Sequence, residues 1–340
     1  MPGIIAGKLD RLGPRVYGPG MPALTDVDGI LVGQATDPAG GTGCTVVLAP
    51  AAGMPCMAYV KGRATGSREL DVCRPDALVE RVDAIALCGG SAFGLAAADG
   101  VMRWLESRKR GFPVGPGHIP IVPAAVIFDL LPIGTFTARP TAEMGMQACG
   151  AAAKQVEEGS VGAGTGATVG KALGPSLAMK GGVGTWSVTA GNVVVGALAV
   201  VNALGDITDA EGRIIAGARK ESGGFAGTAA YLAKGGMTQG ALSPPHRSSH
   251  NTTLVVIASN ARLSRLALSG VARAAADGLA RRIVPVGTPF DGDVVFACAT
   301  AAVDALPIQV EQLAREATEQ AVERAVRTAQ GAGGIPGLAD

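Results

Sequence analysis

The chain has 340 residues, 48% of them apolar and 17% charged, with a formal net charge of +1. Such a composition buries a core and excludes a disordered chain, and 51 glycines without a three-residue period exclude collagen. Scattered Lys and Arg and only 4% aromatic residues give neither a basic face nor stacking rings, so nucleic acid is not an expected partner.

Residues 1–22 read as a loose N-terminal arm rich in Gly and Pro. Its first residues lack the basic start and long apolar stretch of a signal peptide, and no apolar run reaches the roughly 18 residues of a membrane helix. Regular structure is expected from Leu24, with strands at 44–48 and 85–88, the latter ending at Gly89-Gly90. Ser91 is placed to cap a helix running to about 108, with Leu95, Ala98, Met102 and Leu105 on one face. A buried strand over 123–130, an Ala-rich helix over 144–156 and strands at 187–190 and 193–201, joined by a turn at Gly191-Asn192, follow.

Residues 206–251 change character. They are polar and Gly-rich, broken by Pro244-Pro245, and read as an exposed connector. The segment 253–258 is almost wholly apolar, as a strand buried on both faces is. A helix over 261–283, a strand over 294–300 and an amphipathic helix over 308–330 complete the chain. The last carries a stripe of Glu311, Arg315, Glu319, Glu323 and Arg327 opposite Val310, Leu313, Ala317, Ala321 and Ala325. Interspersed strands and helices give α/β layers, with strand order unreadable and no internal repeat.

Several chemical motifs fail on spacing. Gly166 to Ala172 has three residues between the glycines of a phosphate loop instead of four, and Ala172 where the metal-binding hydroxyl belongs. Gly89 to Gly94 misses the nucleophile elbow because Phe93 stands where the second Gly should. His246 and His250 have helical spacing but follow Pro245, without an evident third ligand, and His118 sits in a turn. No metal or cofactor is expected. The six cysteines, at 44, 56, 73, 88, 149 and 298, form no C-x-x-C pair and read as small buried hydrophobes in a reducing, cytoplasmic compartment.

With no histidine in a triad setting, a hydrolase needs another base. The α-amine of an N-terminal Thr or Ser, with a reference pKa of about 7.7–8.0, is one. That amine exists only after the chain is cut. A polar connector ending at Asn251 and running straight into Thr252 and an apolar strand is suited to such a cut.

The stretches 24–33, 42–46, 89–95, 123–129, 162–171, Asn251-Thr252-Thr253 and 290–293 occur in the order found in the L-aminopeptidase/D-esterase (DmpA-type) family. This chain resembles that family, which includes β-peptidyl aminopeptidases and the nylon-oligomer (6-aminohexanoate oligomer) hydrolase. The resemblance implies a four-layer αββα sandwich of the DmpA/ornithine acetyltransferase type. It also implies an amide-bond hydrolase, activated by cutting itself, that takes a small peptide or other amide as substrate. One catalytic domain, 23–340, would be cut into 1–251 and 252–340, the two pieces staying together, commonly as a homotetramer of the cut pair.

By the same resemblance Thr252 is the nucleophile in both self-cleavage and turnover. Asp291 and Asp293 match the family's polar pair beside it, and their Asp-Gly-Asp form is that of the nylon-oligomer hydrolase. Asn202 matches an oxyanion donor, Lys171 matches a lysine of the nylon-oligomer hydrolase site, and Gly89 and Gly90 would let backbone approach the substrate. Phe128 departs from the pattern, standing where well-known members carry a tyrosine. Endo-cleavage of nylon oligomers, acyl transfer of the ornithine acetyltransferase kind and a non-catalytic binding protein are the alternatives.

Overall fold

The computed structural model describes residues 20–236 and 251–340. The arm up to residue 19, and His246 and His250, lie outside these. Two β-sheets face each other, each with a pair of helices on its outer side. The first sheet runs in the order Leu31–Asp37, Thr42–Leu48, Ala84–Cys88, Ala124–Val126, Gly66–Arg68. The second runs Gly182–Ala190, Val193–Asn202, Thr252–Ala261, Val294–Val303, Met54–Val60, Arg81–Val82. Thr252–Ala261 pairs antiparallel with Val193–Asn202 and parallel with Val294–Val303. The two strands that follow residue 251 therefore lie between strands that precede it.

Side-chain alternation divides these strands between layers. On the first sheet Val46 and Ala86 meet Val101 and Leu105 of the helix Ala97–Glu106 and Ala148 of Ala142–Gly150. Val47, Ile85 and Leu87 point the other way, onto Leu198, Leu254, Val256 and Phe296 of the second sheet. Val255 and Ile257 point to the far side, where Leu268 and Val271 of Arg265–Arg282 and Val310 and Ala321 of Pro307–Arg327 cover them. The layers are thus helix, sheet, sheet, helix, and the apolar run at 253–258 is buried on both faces. All six cysteines are buried and unpaired. No helix among the described residues is long and apolar enough to cross a membrane.

Several boundaries differ from the sequence reading. Ser91 caps nothing: it has φ of 53° and opens a 3-10 turn, Ser91–Ala96, before the α-helix begins at Ala97. Its N–H is drawn across to the Ile127 carbonyl. The helix expected over 144–156 is Ala142–Gly150, capped by the Thr141 hydroxyl, and ends early because Ala153 turns back to pair with Val32 at the sheet edge. Ser264 likewise caps Arg265–Arg282, so the strand from Thr252 continues to Ala261. The final helix starts at Pro307, a residue suited to a first turn that needs no N–H. Its charged stripe is not simply solvated, since Glu319 pairs with both Arg281 and Arg282 of the neighbouring helix.

Two differences bear on function. The segment expected as a strand over 123–130 pairs only at Ala124–Val126, so Phe128 and Asp129 lie past its end, Asp129 buried and Phe128 partly exposed. The connector expected from 206 is packed structure as far as it is described. Strands Asp206–Thr208 and Ile214–Ala216 and a short helix Thr228–Ala233 are organised by the buried Asp206 carboxylate, which accepts from Ala218 N, Thr228 N and the Thr228 hydroxyl. A polar, Gly-rich stretch can fold inward when one carboxylate satisfies its backbone donors.

Candidate active site

Thr252 is the first residue of the central strand of the second sheet, and Asn202, the last residue of its antiparallel neighbour, is its register partner. On the other side Asn251 bridges in parallel to Asp291. The sheet thus places Asn251-Thr252 between Asn202 and the Asp291-Gly292-Asp293 turn. Thr252 is only 4% exposed and Asn251 is fully buried.

The Thr252 hydroxyl donates to the carbonyl oxygen of Asn251 at 2.6 Å, and the Gly292 N–H donates to the same oxygen at 2.7 Å. Gly292 has to be glycine. A Cβ there would stand 2.7 Å from the Thr252 hydroxyl oxygen and 2.7 Å from the carbonyl oxygen of Ala64. Asp293 accepts from Thr253 N at 2.6 Å and from Gly287 N at 3.2 Å, while Asp291 accepts from Thr288 N at 2.7 Å. Burial, and then the neighbouring Asp291 charge, push the Asp293 carboxyl up to about 7. Burial also raises Asp291, against the hydrogen bonds from Thr288 and the opposing pull of Lys171.

Lys171 reaches Asn202 from the other side. Its ammonium donates to the Asn202 side-chain oxygen at 2.8 Å and to the Asn202 carbonyl at 3.1 Å. Desolvation lowers its pKa to about 7, with Asp291 and then Asp129 opposing. The residue is half-buried, with its ammonium held on Asn202 at the end of the sheet. The Asn202 side-chain oxygen also accepts from Thr168 N at 3.0 Å, and its NH2 donates to the Phe128 carbonyl at 3.1 Å. Two donors on one side and one acceptor on the other fix which way this amide faces.

Phe128 therefore contributes a backbone carbonyl, and the next residue links the glycine pair. The buried Asp129 carboxylate accepts from Gly90 N at 2.6 Å and from the Thr42 hydroxyl at 2.7 Å. A side chain at Gly89 would begin 2.1 Å from that carboxylate, a close approach that only glycine allows. Burial pushes the Asp129 carboxyl up to about 6. Thr252, Asn251, Asn202, Lys171, Asp291, Asp293 and Phe128 thus form one bonded cluster at facing ends of the sheets, with Gly89 and Gly90 joined through Asp129. His118 pairs with Pro113 in a hairpin and makes no bond to this cluster.

Sequence reading gives no role to four participants: Gly292, Asp129 and Thr42, which lie within the resembling stretches, and Lys180, which lies outside them. Lys180 is almost fully buried, and its ammonium donates to the carbonyls of Gly164, Thr165 and Ala167 at 3.3, 2.8 and 2.9 Å. It holds the loop whose Thr168 N–H orients Asn202. Burial lowers its pKa to about 7, with Asp129 opposing. Asp129 lies within a stretch that carried the family resemblance, but it looked like a strand end.

The model of the family described as peptidase family S58 matches residues 22–337. An uncharacterized aminopeptidase of Mycobacterium tuberculosis is 46% identical over 301 residues, covering 84% of each chain. A 6-aminohexanoate-oligomer endohydrolase of Kocuria sp. is 31% identical over 286 residues, covering 82% of this chain and 75% of that one. Among solved structures, a Burkholderia sp. beta-aminopeptidase superposes with a TM-score of 0.68 at 23% identity, covering 96% of this chain and 93% of the other. The L-aminopeptidase D-Ala-esterase/amidase of Ochrobactrum anthropi, described as a variant of the Ntn hydrolase fold, gives 0.67 at 22%, covering 94% and 90%. These two structures share the layered fold described above.

Proposed function

The chain belongs to peptidase family S58 and is a hydrolase of peptide or other amide bonds, and on that premise we propose that it cuts itself between Asn251 and Thr252 and then uses Thr252 as its nucleophile. One observation carries the proposal: the Thr252 hydroxyl lies 2.6 Å from the oxygen of the carbonyl it would attack, and the Gly292 N–H is already on that oxygen. In maturation the hydroxyl oxygen adds to the Asn251 carbonyl and the Gly292 N–H holds the oxyanion. Collapse breaks the bond to the Thr252 nitrogen, which takes the proton, and water opens the resulting ester. Intact mass and N-terminal sequencing of purified protein test the cut.

In turnover the freed α-amine takes the hydroxyl proton, the oxygen attacks the substrate amide, and the amine returns the proton to the leaving nitrogen; water, giving its proton to the same amine, then attacks the Thr252 ester, and the acyl group leaves as the acid while the Thr252 oxygen takes the proton back. The Asn202 NH2 has two N–H bonds and Phe128 takes one, which leaves the other for the substrate oxyanion. Asn202→Ala is expected to lower kcat by about 10²–10³ with a smaller change in KM. It should also cost roughly 1–3 kcal/mol of stability by leaving the Thr168 N–H without its acceptor. Activity within a few-fold of wild type would make Asn202 a purely architectural residue.

Burial brings Lys171, Lys180 and Asp293 to about 7 and Asp129 to about 6, so the pH profile has to separate these four groups from the α-amine. The amine works as a base only when neutral, so kcat/KM should rise with pH through one ionisation. The limb should survive replacement of His118, His246 and His250 by Gln, and also Lys171→Met. Asp291→Asn should move it down, because a nearby negative charge favours the protonated amine and raises its pKa. Loss of the limb in correctly cut Lys171→Met would assign the base to Lys171. These rates are best read on a slow substrate, where chemistry limits.

Aminopeptidase action is the reading that the 46% identical relatives support. Endo-cleavage of 6-aminohexanoate oligomers is a second reading, supported by Asp291-Gly292-Asp293, Lys171 and the relative of that name. Cleavage at the inner bond of a 6-aminohexanoate tetramer would select it. The unpaired thiols support a cytoplasmic setting. The Cys73 thiol donates to the Cys56 sulfur at 3.7 Å, and the two form no disulfide.

A further inference from the structure

The loop after Phe128 and Asp129 carries a cation that the proposed chemistry does not use. Arg139 lays its guanidinium on the Phe93 ring, 3.6 Å from the centroid, with the Phe136 ring at 5.8 Å. Both rings are 54% exposed, so the stack stands at the surface rather than in the core. Gly90 locates it relative to the site. A Cβ on Gly90 would lie 3.4 Å from the Arg139 Cβ and 2.8 Å from Cδ of Pro140. The Gly90 N–H is held by Asp129, whose neighbour Phe128 anchors Asn202 beside Thr252. Phe93 belongs to the 3-10 turn, Ser91–Ala96, that follows Gly90.

A guanidinium has five N–H donors. Here one terminal nitrogen makes a long bond, 3.4 Å, to the Phe136 carbonyl, and the buried Nε donates to nothing. Among the described residues no carboxylate pairs with Arg139. Asp37, on the turn against Ala138, is engaged by the Gly40 N–H instead. An arginine steadied by aromatic rings has little freedom left to lose on meeting a planar anion, and its donor fork matches a carboxylate.

We propose that Arg139 is a specificity residue that binds a carboxylate on the substrate, so that the preferred substrates are short amides bearing a free carboxyl group, with Phe93 and Phe136 flanking their apolar part. This rests on Thr252 and the Gly89-Gly90 rim being the active site. The test uses matched pairs, α- and β-dipeptides and the 6-aminohexanoate dimer, each as the free acid and as its C-terminal amide. Correctly cut wild type should favour the free acid by about 10-fold in kcat/KM, chiefly through KM, and added salt should shrink that preference. Arg139→Met should bring the ratio close to one, and Arg139→Lys should keep part of it.

The assignment is overturned if wild type shows no preference, or if Arg139→Met lowers both members of a pair alike. An accompanying change in sedimentation would then mark the patch as a contact between copies of the chain. If wild type cleaves neither member of any pair, the amide-hydrolase reading of the Thr252 site fails separately. Calorimetric binding of the same pairs to wild type and Arg139→Met then decides the assignment without turnover: an acid preference lost in the variant upholds it, and equal binding rejects it.

Discussion

Thr252→Ala is expected to leave a single uncut chain with no measurable amide hydrolysis. The substitution removes the hydroxyl that lies 2.6 Å from the Asn251 carbonyl oxygen, so the first bond of maturation cannot form. It removes the nucleophile of turnover as well, and without the cut no α-amine is released to act as base. Loss of a nucleophile alone can cost on the order of 10⁶ in kcat. Wild type should give two fragments, the smaller beginning Thr-Thr-Leu-Val-Val. Thr252→Ser keeps a hydroxyl and should still mature, which separates the chemical loss from misfolding. The variant strand should fold, because its other side chains and its pairing to Val193–Asn202 are unchanged. A wild-type chain that is fully active while uncut would refute the proposal.

Gly292→Val is expected to block maturation and turnover without removing any side chain that reacts. The first atom of its side chain would fall 2.7 Å from the Thr252 hydroxyl oxygen and 2.7 Å from the Ala64 carbonyl oxygen. Either the hydroxyl or the turn has to move. A nucleophile displaced by about 1 Å can lose about 10² in rate. A moved turn withdraws the N–H from the Asn251 carbonyl, and an oxyanion donor is worth about 10²–10³. Either displacement alone costs about 10²–10³, and both together would cost on the order of 10⁴–10⁵. The cut should be followed by gel over days, with circular dichroism as the control for folding. Cleavage near the wild-type rate would mean that the turn yields without disturbing the hydroxyl.

The sequence was most informative where one segment states its own environment. The run 253–258 is apolar on both faces because helices and a second sheet cover it, and nothing outside the segment is needed to see that. The junction before Thr252 was legible for a related reason, since a polar stretch gives way abruptly to a buried strand. Asp291 and Asp293 were readable only through resemblance. Their chemistry comes from burial and from backbone donors at Thr253, Gly287 and Thr288, which no local pattern announces. Lys180 is the clearest failure. A lysine is normally read as solvated, and only the closed loop at 164–167 supplies the three carbonyls that let it be buried. Phe128 and Asp129 were absorbed into a strand because the apolar run continues past the point where pairing stops. Residues near 206 looked exposed because Asp206 satisfies donors that lie well downstream.

The interleaving of the second sheet bears on the protein's life history. Thr252–Ala261 and Val294–Val303 sit between Val193–Asn202 and Met54–Val60, so each proposed fragment supplies strands on which the other depends. Before the cut, the ends that must meet are tethered at an effective concentration set by the connector, and assembly is independent of dilution. After the proposed cut the pieces would separate only by dismantling the sheet, so a long-lived pair is expected. Once dismantled, however, each piece exposes strand edges and apolar faces, and recovery becomes a bimolecular search in competition with aggregation. Heated or denatured mature protein should therefore recover poorly and in a concentration-dependent way, whereas the uncut Thr252→Ala chain should refold independently of concentration. Activation would give the molecule its chemistry and remove its route back from the unfolded state.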